Sequence, residues 1–286
     1  MTKVDQFESV FKSAAKAVYE HGPIKLDRVL VVSDEAEAGA RTFEKLLQGF
    51  LERVSGVDKA TWSLLTGDSF RGTESLLRKI EAEAPDLIIT YRNLHSSDWK
   101  FSHSLGSHLD VLTQRTEPPV LVVPHPTAKK ALDHAIKNTD RVMAITNHLT
   151  GDGSLVRHAV AFTEPGGTLF LTHVEDDRVF ARYIDVISKI PSIDTDSAKA
   201  TLRAQLLKEP RDYIDSCREA LEAAGVDCTV EAEIIMGRRL SEYRRLVTEH
   251  EVDLLVMHTK DKDQLAMHGM AYPLAVELRE IPLLLI

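Results

Sequence analysis

Four histidines fall where the sequence places the ends of apolar, strand-like runs. His148 follows one run, His173 ends another, His258 follows a third, and His268 precedes the last helical pattern. Neutral imidazoles at the carboxyl edge of a parallel sheet, with Asp176 or Asp261 nearby, are donors suited to zinc or another divalent metal. No H-x3-H spacing is present, and imidazoles at strand ends can point to opposite faces, so a bound divalent metal is not expected. Gathered without metal, the same imidazoles would make a pocket respond to pH near neutrality. Earlier in the chain, His95, Asp98, His103 and His108 share a polar stretch spaced like a solvated loop. Trp99 and Phe101 within it are expected to fold back onto the sheet edge. Ser154 with Asp152 and His158 has the residue types of a nucleophile set, but Ser154 reads as a helix N-cap. Neither G-x-S-x-G nor G-x-G-x-x-G occurs, so hydrolase and dinucleotide-dependent redox chemistry lack support, and no catalytic residue is assigned. Arg238, Arg239, Arg244 and Arg245, interleaved with Glu242 and Glu249, read as a solvated mixed-charge helix face.

The elements that must position these residues form a repeated pattern. Arg28 to Val32 and Arg141 to Ile145 are Arg-led apolar strands. Asp86 to Ile89 and Asp253 to Val256 are acid-led aliphatic strands, each followed by a loop, an amphipathic helix and a Pro-led strand. Those closing strands are Pro118 to Val123 and Ile281 to Ile286. One fold used twice is the inference. Alternation of strand and helix predicts open parallel sheets covered on both faces. The second half supplies five strands. The first supplies four, one β-α unit short. Thr168 to Val174 and the stretch from Asp185 to Ala224, read as a loop and a long helix, have no counterpart there. The expected organisation is an N-terminal amphipathic helix in 1–23 packing where the missing helix would lie, a first domain in 24–126, a connector in 127–139 and a second domain in 140–286. The 286 residues suit two cores, and the net charge of −9 argues against nucleic acid or an anionic membrane as partner. Cys217 and Cys228 lack C-x2-C spacing. No run approaches membrane-spanning length and the first residues are polar, so a cytoplasmic setting is expected.

These features together resemble a tandem universal stress protein, over nearly all of the chain except the N-terminal helix and the connector. The resemblance is carried by Asp34 and, as an amide, Asn147 after the first strand of each half. Leu171-Thr172-His173-Val174 closes a second strand. Gly67 and Gly237 lie between middle strand and following helix, and the acid-led strand, loop, helix and Pro-led strand recur in order. It implies two Rossmann-like α/β domains joined as an internal pseudo-dimer through their last strands, Val120–Val123 against Leu283–Ile286. The partner classes it implies are this internal domain pairing, a homodimer and a regulatory protein.

The ATP-binding branch of that family carries G-x2-G-x9-G-[ST] after its fourth strand, where glycines let phosphate approach the backbone. In the first half the loop opens at Tyr91 to His95 and closes at Gly106-Ser107. Its first two glycine positions read as larger side chains, and it reads as longer than the motif requires. In the second half it opens at His258 to Asp263 and closes at His268-Gly269-Met270, shorter than the motif and with only Gly269 matching. The resemblance implies ATP or AMP as ligand class, whereas these degenerate loops argue for no firm cofactor. The expected function is a non-catalytic stress-response or regulatory binding module. The alternative is a divergent ATP- or AMP-binding member that senses nucleotide or hydrolyses it weakly. The pocket is expected in the second half, lined by Asn147, His148, His173, His258, Thr259 and Gly269. Asp34, Gly106 and Ser107 are the candidates in the first.

Overall fold

The computed structural model describes residues 18–96, 104–126, 131–132, 134–145, 153–259 and 271–286. The first half contains β1 (Arg28–Val32), α1 (Glu37–Phe50), β2 (Thr61–Leu65), α2 (Thr73–Glu83), β3 (Leu87–Tyr91), α3 (Ser107–Arg115) and β4 (Val120–Val123). The second contains β5 (Arg141–Ile145), α4 (Ser154–Phe162), β6 (Gly167–Asp176), α5 (Asp177–Ser188) and α6 (Thr195–Ala223). It continues with β7 (Cys228–Gly237), α7 (Arg239–Glu249), β8 (Leu254–Met257), α8 (Ala271–Glu277) and β9 (Leu283–Leu285).

All nine strands join one sheet in the order β2-β1-β3-β4-β9-β8-β5-β6-β7. The reason lies in the strand sequences. Val29 to Val32, Leu87 to Tyr91, Val120 to Val123 and Leu254 to Met257 are apolar apart from Thr90, without alternation, and buried throughout, as strands covered on both faces must be. Each such side chain stabilises the fold by about 1.5–3 kcal/mol on burial. Helices supply the covering faces, for example Phe43, Leu47 and Phe50 of α1. Strand pairs are parallel within each half. Between the halves, β4 and β9 pair antiparallel, with Val120 opposite Leu285 and Val122 opposite Leu283. Two short apolar strands that would otherwise be open edges thus close each other. The antiparallel join also sends the carboxyl edges of the two halves to opposite ends of the sheet, so their loops cannot share one pocket.

Several local expectations are corrected. Residues 177–188 form a helix where a loop was expected from Asp185 onward, because Asp176 caps it by accepting from the amides of Arg178 and Val179. A row of apolar side chains on and after this helix, Val179, Tyr183, Val186, Ile190 and Ile193, is exposed. Ser154 is not a cap: Gly153 holds that position, and the Ser154 hydroxyl lies 3.4 Å from His158 Nδ1 within the first turn. The N-terminal helix expected over the first half falls largely outside the described residues. Tyr19, which follows, lies against the second half: its ring is buried, its amide donates to Ser216 on α6, and it packs beside Gly153. Among the described residues no helix is long and apolar enough to cross a membrane.

Candidate functional site

The carboxyl edge of the first half gathers a polar network. Tyr91 ends β3 and its ring is fully buried, edge-on to Phe43 of α1 at 5.2 Å. The Tyr91 hydroxyl donates to Asp34 Oδ1, and Ser33 Oγ lies 2.9 Å from the same hydroxyl. Asp34 Oδ2 accepts the His95 amide at 2.7 Å, so both carboxylate oxygens are engaged. Burial, then the hydrogen bond to Asp34, holds the Tyr91 phenol well above its ordinary range. The His125 ring packs on Tyr91 with centroids 4.8 Å apart. His108 packs against Phe70 and His95 at 5.7 and 5.6 Å. Burial pushes the pKa of both His125 and His108 down. The neighbouring His95 adds to the effect at His108, and the Asp34 charge partly opposes it at each. Both imidazoles are therefore neutral at pH 7.

The loop leaving β3 is folded tightly on the helix that follows it. Asn93 and His95 adopt left-handed backbone, φ 60° and 58°, and the Asn93 amide donates to Leu105 O at 2.9 Å. Gly106 has φ 88°, and a Cβ there would stand 2.7 Å from Asn93 Cα. Only glycine meets both demands. Counting back from Gly106, Asn93 and Ser96 occupy the first and second glycine positions of G-x2-G-x9-G-[ST]. The loop is thus not longer than the motif, which corrects the expectation. Asparagine is the non-glycine residue that best tolerates the left-handed turn the first position requires. The cap residue Gly106 brings no side chain to α3, so the first-turn amides of that nine-residue helix keep the anion-accepting character of a helix start. Asp110 in the same turn has its carboxyl pushed up by burial.

The second half is built differently. Thr259, expected to face a ligand, is buried. Its amide and hydroxyl both donate to Ile286 O, at 2.8 and 3.1 Å. Its role is to fasten the chain's last residue beside β8. His173 is buried, with Nε2 3.2 Å from Glu175 Oε2. His258 follows β8, and β5 stands between that strand and β6, which carries His173. Asn147, His148, His268 and Gly269 lie outside the described residues. Among the described residues, no group of three or more His, Cys, Asp or Glu side chains could hold a metal ion. The expected mixed-charge face on α7 is present: Arg245 pairs with Glu242 and Glu249, and Arg244 with Glu277. Arg239 instead turns inward and its Nε donates to Val174 O at 3.1 Å.

Two residues were missed by sequence reasoning. Tyr91 reads as loop but completes β3. Arg92 reads only as a side chain too large for a glycine position, yet it is 4% exposed and crosses to the second half, donating to Ala275 O and Leu278 O. The one available signal was a cation directly behind an apolar strand.

No family model and no curated protein matches the sequence. Solved structures do. A universal stress protein from Archaeoglobus fulgidus DSM 4304 aligns with TM-score 0.52 over 92% of this chain and 98% of that one, at 13% identity. A protein from Pseudomonas aeruginosa UCBPP-PA14, provisionally named a universal stress protein, gives 0.50 over 91% and 93%, at 13% identity. A functionally unknown protein from Pseudomonas aeruginosa PAO1 gives 0.51 over 91% and 92%, at 14% identity. The chain has a Rossmann-like α/β fold of the universal stress protein kind. Likeness at this identity carries the fold, while ligand and activity reside in side chains that the fold does not dictate.

Proposed function

We propose that this chain is a non-catalytic regulatory binding module, a tandem member of the universal stress proteins, whose phosphate-bearing ligand is taken by the first half. The observation that carries this reading is the closure of Gly106 onto Asn93. It keeps the motif's spacing and its backbone shape at the start of α3. A ligand of the AMP or ATP class fits, its phosphate toward the α3 amides. The described part of the second half supports such a ligand less well, because Thr259 is committed to Ile286. Hydrolysis through Asp34 is disfavoured, since its two oxygens are engaged by Tyr91 and His95 and those bonds would have to break for it to act as a base.

Calorimetric titration with AMP and ATP tests the reading. The wild-type chain is expected to bind without turnover, and Gly106→Val to abolish binding. Ser107→Asp is a second variant that favours the helix start yet repels phosphate, and it is expected to weaken binding about tenfold or more. Binding that survives both substitutions would move the site to the second half. A flat titration with the wild-type protein would end the nucleotide reading.

A further inference from the structure

The geometry points to Arg92 as a latch that makes the first half's ligand loop and the docking of the two halves one conformational unit. Arg92 sits between Tyr91, whose hydroxyl engages Asp34, and Asn93, whose left-handed turn opens the loop. Its backbone therefore belongs to the candidate site. Its guanidinium belongs to the other half. One terminal nitrogen donates to Ala275 O and, at 2.7 Å, to Leu278 O, the carbonyls at the end of α8. A helix end leaves such carbonyls without intrahelical partners and carries partial negative charge, so a cation there is favoured. Arg279 supplies a second cap from α8's own side, its Nε donating to Val276 O at 3.0 Å.

The arrangement has few substitutes. The bonded partners of Arg92 are carbonyl oxygens rather than a carboxylate, and its buried Nε has no partner among the described residues. Burial, and secondarily the like charge of Arg279, weighs against the charged guanidinium. A buried cation held only by carbonyls persists where both sides are in place together. Moving the turn at Asn93 withdraws the guanidinium from α8. Releasing α8 leaves the charge buried and unpaired beside the loop. The halves are also joined by the strand pair β4–β9, with Val120, Leu121 and Val122 opposite Leu285, Leu284 and Leu283, and by Arg53, whose exposed guanidinium donates to Glu164 at 2.9 Å. The strand pair is short enough for one buried, charge-assisted contact to decide whether the halves open together or separately. The latch itself stands independently of the ligand reading. Together with that reading, it predicts that an occupied loop holds the halves shut.

Hydrogen exchange and scanning calorimetry on the full chain, without ligand, test the latch. In the wild type, the Leu278 amide, which donates to Leu274 O, and the Asn93 amide are expected to open with the same equilibrium constant and the same denaturant dependence. Unfolding is expected to show one calorimetric transition. Arg92→Met keeps volume and removes the donors. It should raise exchange at Leu278 about ten- to hundredfold and split the transition in two. Arg92→Lys, a single point charge without the planar fork, should restore only part of this. Equal exchange and one transition in Arg92→Met would overturn the latch. So would wild-type amides at Asn93 and Leu278 that open with unrelated equilibrium constants, a measurement that remains available if Arg92→Met fails to fold. Adding AMP to the wild type then asks the separate question. Slower exchange at Leu278 joins the latch to the ligand site, whereas binding without that change restricts it to holding the halves together.

Discussion

Asp86 and Asp253 hold equivalent places, directly before β3 and before β8, and the chain treats them in opposite ways. Each accepts the amide of the arginine that opens the neighbouring strand, Arg28 at 2.9 Å and Arg141 at 3.0 Å. Asp86 also receives Lys25 Nζ at 2.8 Å. Burial pushes its carboxyl up, but the Lys25 hydrogen bond, the Arg28 amide and the two positive charges outweigh that and leave it below its ordinary value. At Asp253 no lysine helps, because the position matching Lys25 is Asn138. Burial, then a hydrogen bond to Asp140 and the like charge of that neighbour, raises the Asp253 carboxyl to about 8. The two halves thus carry one satisfied acid and one frustrated acid: Asp86 has Lys25 beside it, whereas Asp253 is more deeply buried and faces Asp140.

The largest expected effect comes from removing the frustration. A carboxyl raised in the folded state contributes stability that is fully present below its unfolded value near 4. That contribution is lost steadily as pH rises to about 8. Asp253→Asn still accepts the Arg141 amide and offers a donor to Asp140. It is expected to gain about 2 kcal/mol at pH 8 and to flatten the fall in stability between pH 4 and 8, as urea unfolding across that range would show. An unchanged pH profile would mean that Asp253 is not the acid that matters.

Asn138→Lys copies the solution of the first half into the second. It should lower the Asp253 carboxyl, recover about 1 kcal/mol at neutral pH and move the carboxyl signal of Asp253 in an NMR titration toward that of Asp86. A variant as unstable as the wild type would show that the two ends differ in more than this lysine. The mirror change, Lys25→Asn, should have the smallest effect. Lys25 is 61% exposed, so the loss is about 0.5 kcal/mol. Because Asp86 is depressed, the stability Lys25 supplies is present above the ordinary carboxyl value and is lost as pH falls below that through the lowered folded value. The deficit of Lys25→Asn should therefore vanish in acid and shrink with salt at neutral pH.

The same contrast explains what could be read in advance. The repeated acid-led and Pro-led strands were legible because a strand covered on both faces must be a continuous apolar run, and such runs stand out in a polar sequence. The edge-to-edge meeting of Val120–Val122 with Leu283–Leu285 was implied by the family resemblance and agrees with two short apolar edges needing partners. The candidate site was only partly legible. Gly106, Ser107 and Asp34 were visible as motif remnants. That Asn93 could replace a glycine was not, since it depends on a left-handed backbone seen only once the turn is built. Thr259, read as a ligand contact, is buried and donates to Ile286 O.

By itself the sequence determined the strand-helix alternation and the five-against-four strand count, because these rest on hydrophobic periodicity and on local turn chemistry; the pairing of the closing strands came from the family resemblance. Tertiary structure alone decided which polar groups are spent and which remain. Arg92 lies 183 residues from Ala275, Arg141 lies 112 from Asp253, and Tyr19 lies 197 from Ser216. No local pattern encodes such meetings. They arise when the sheet closes and every buried donor or acceptor must find whichever partner the packing has brought within reach.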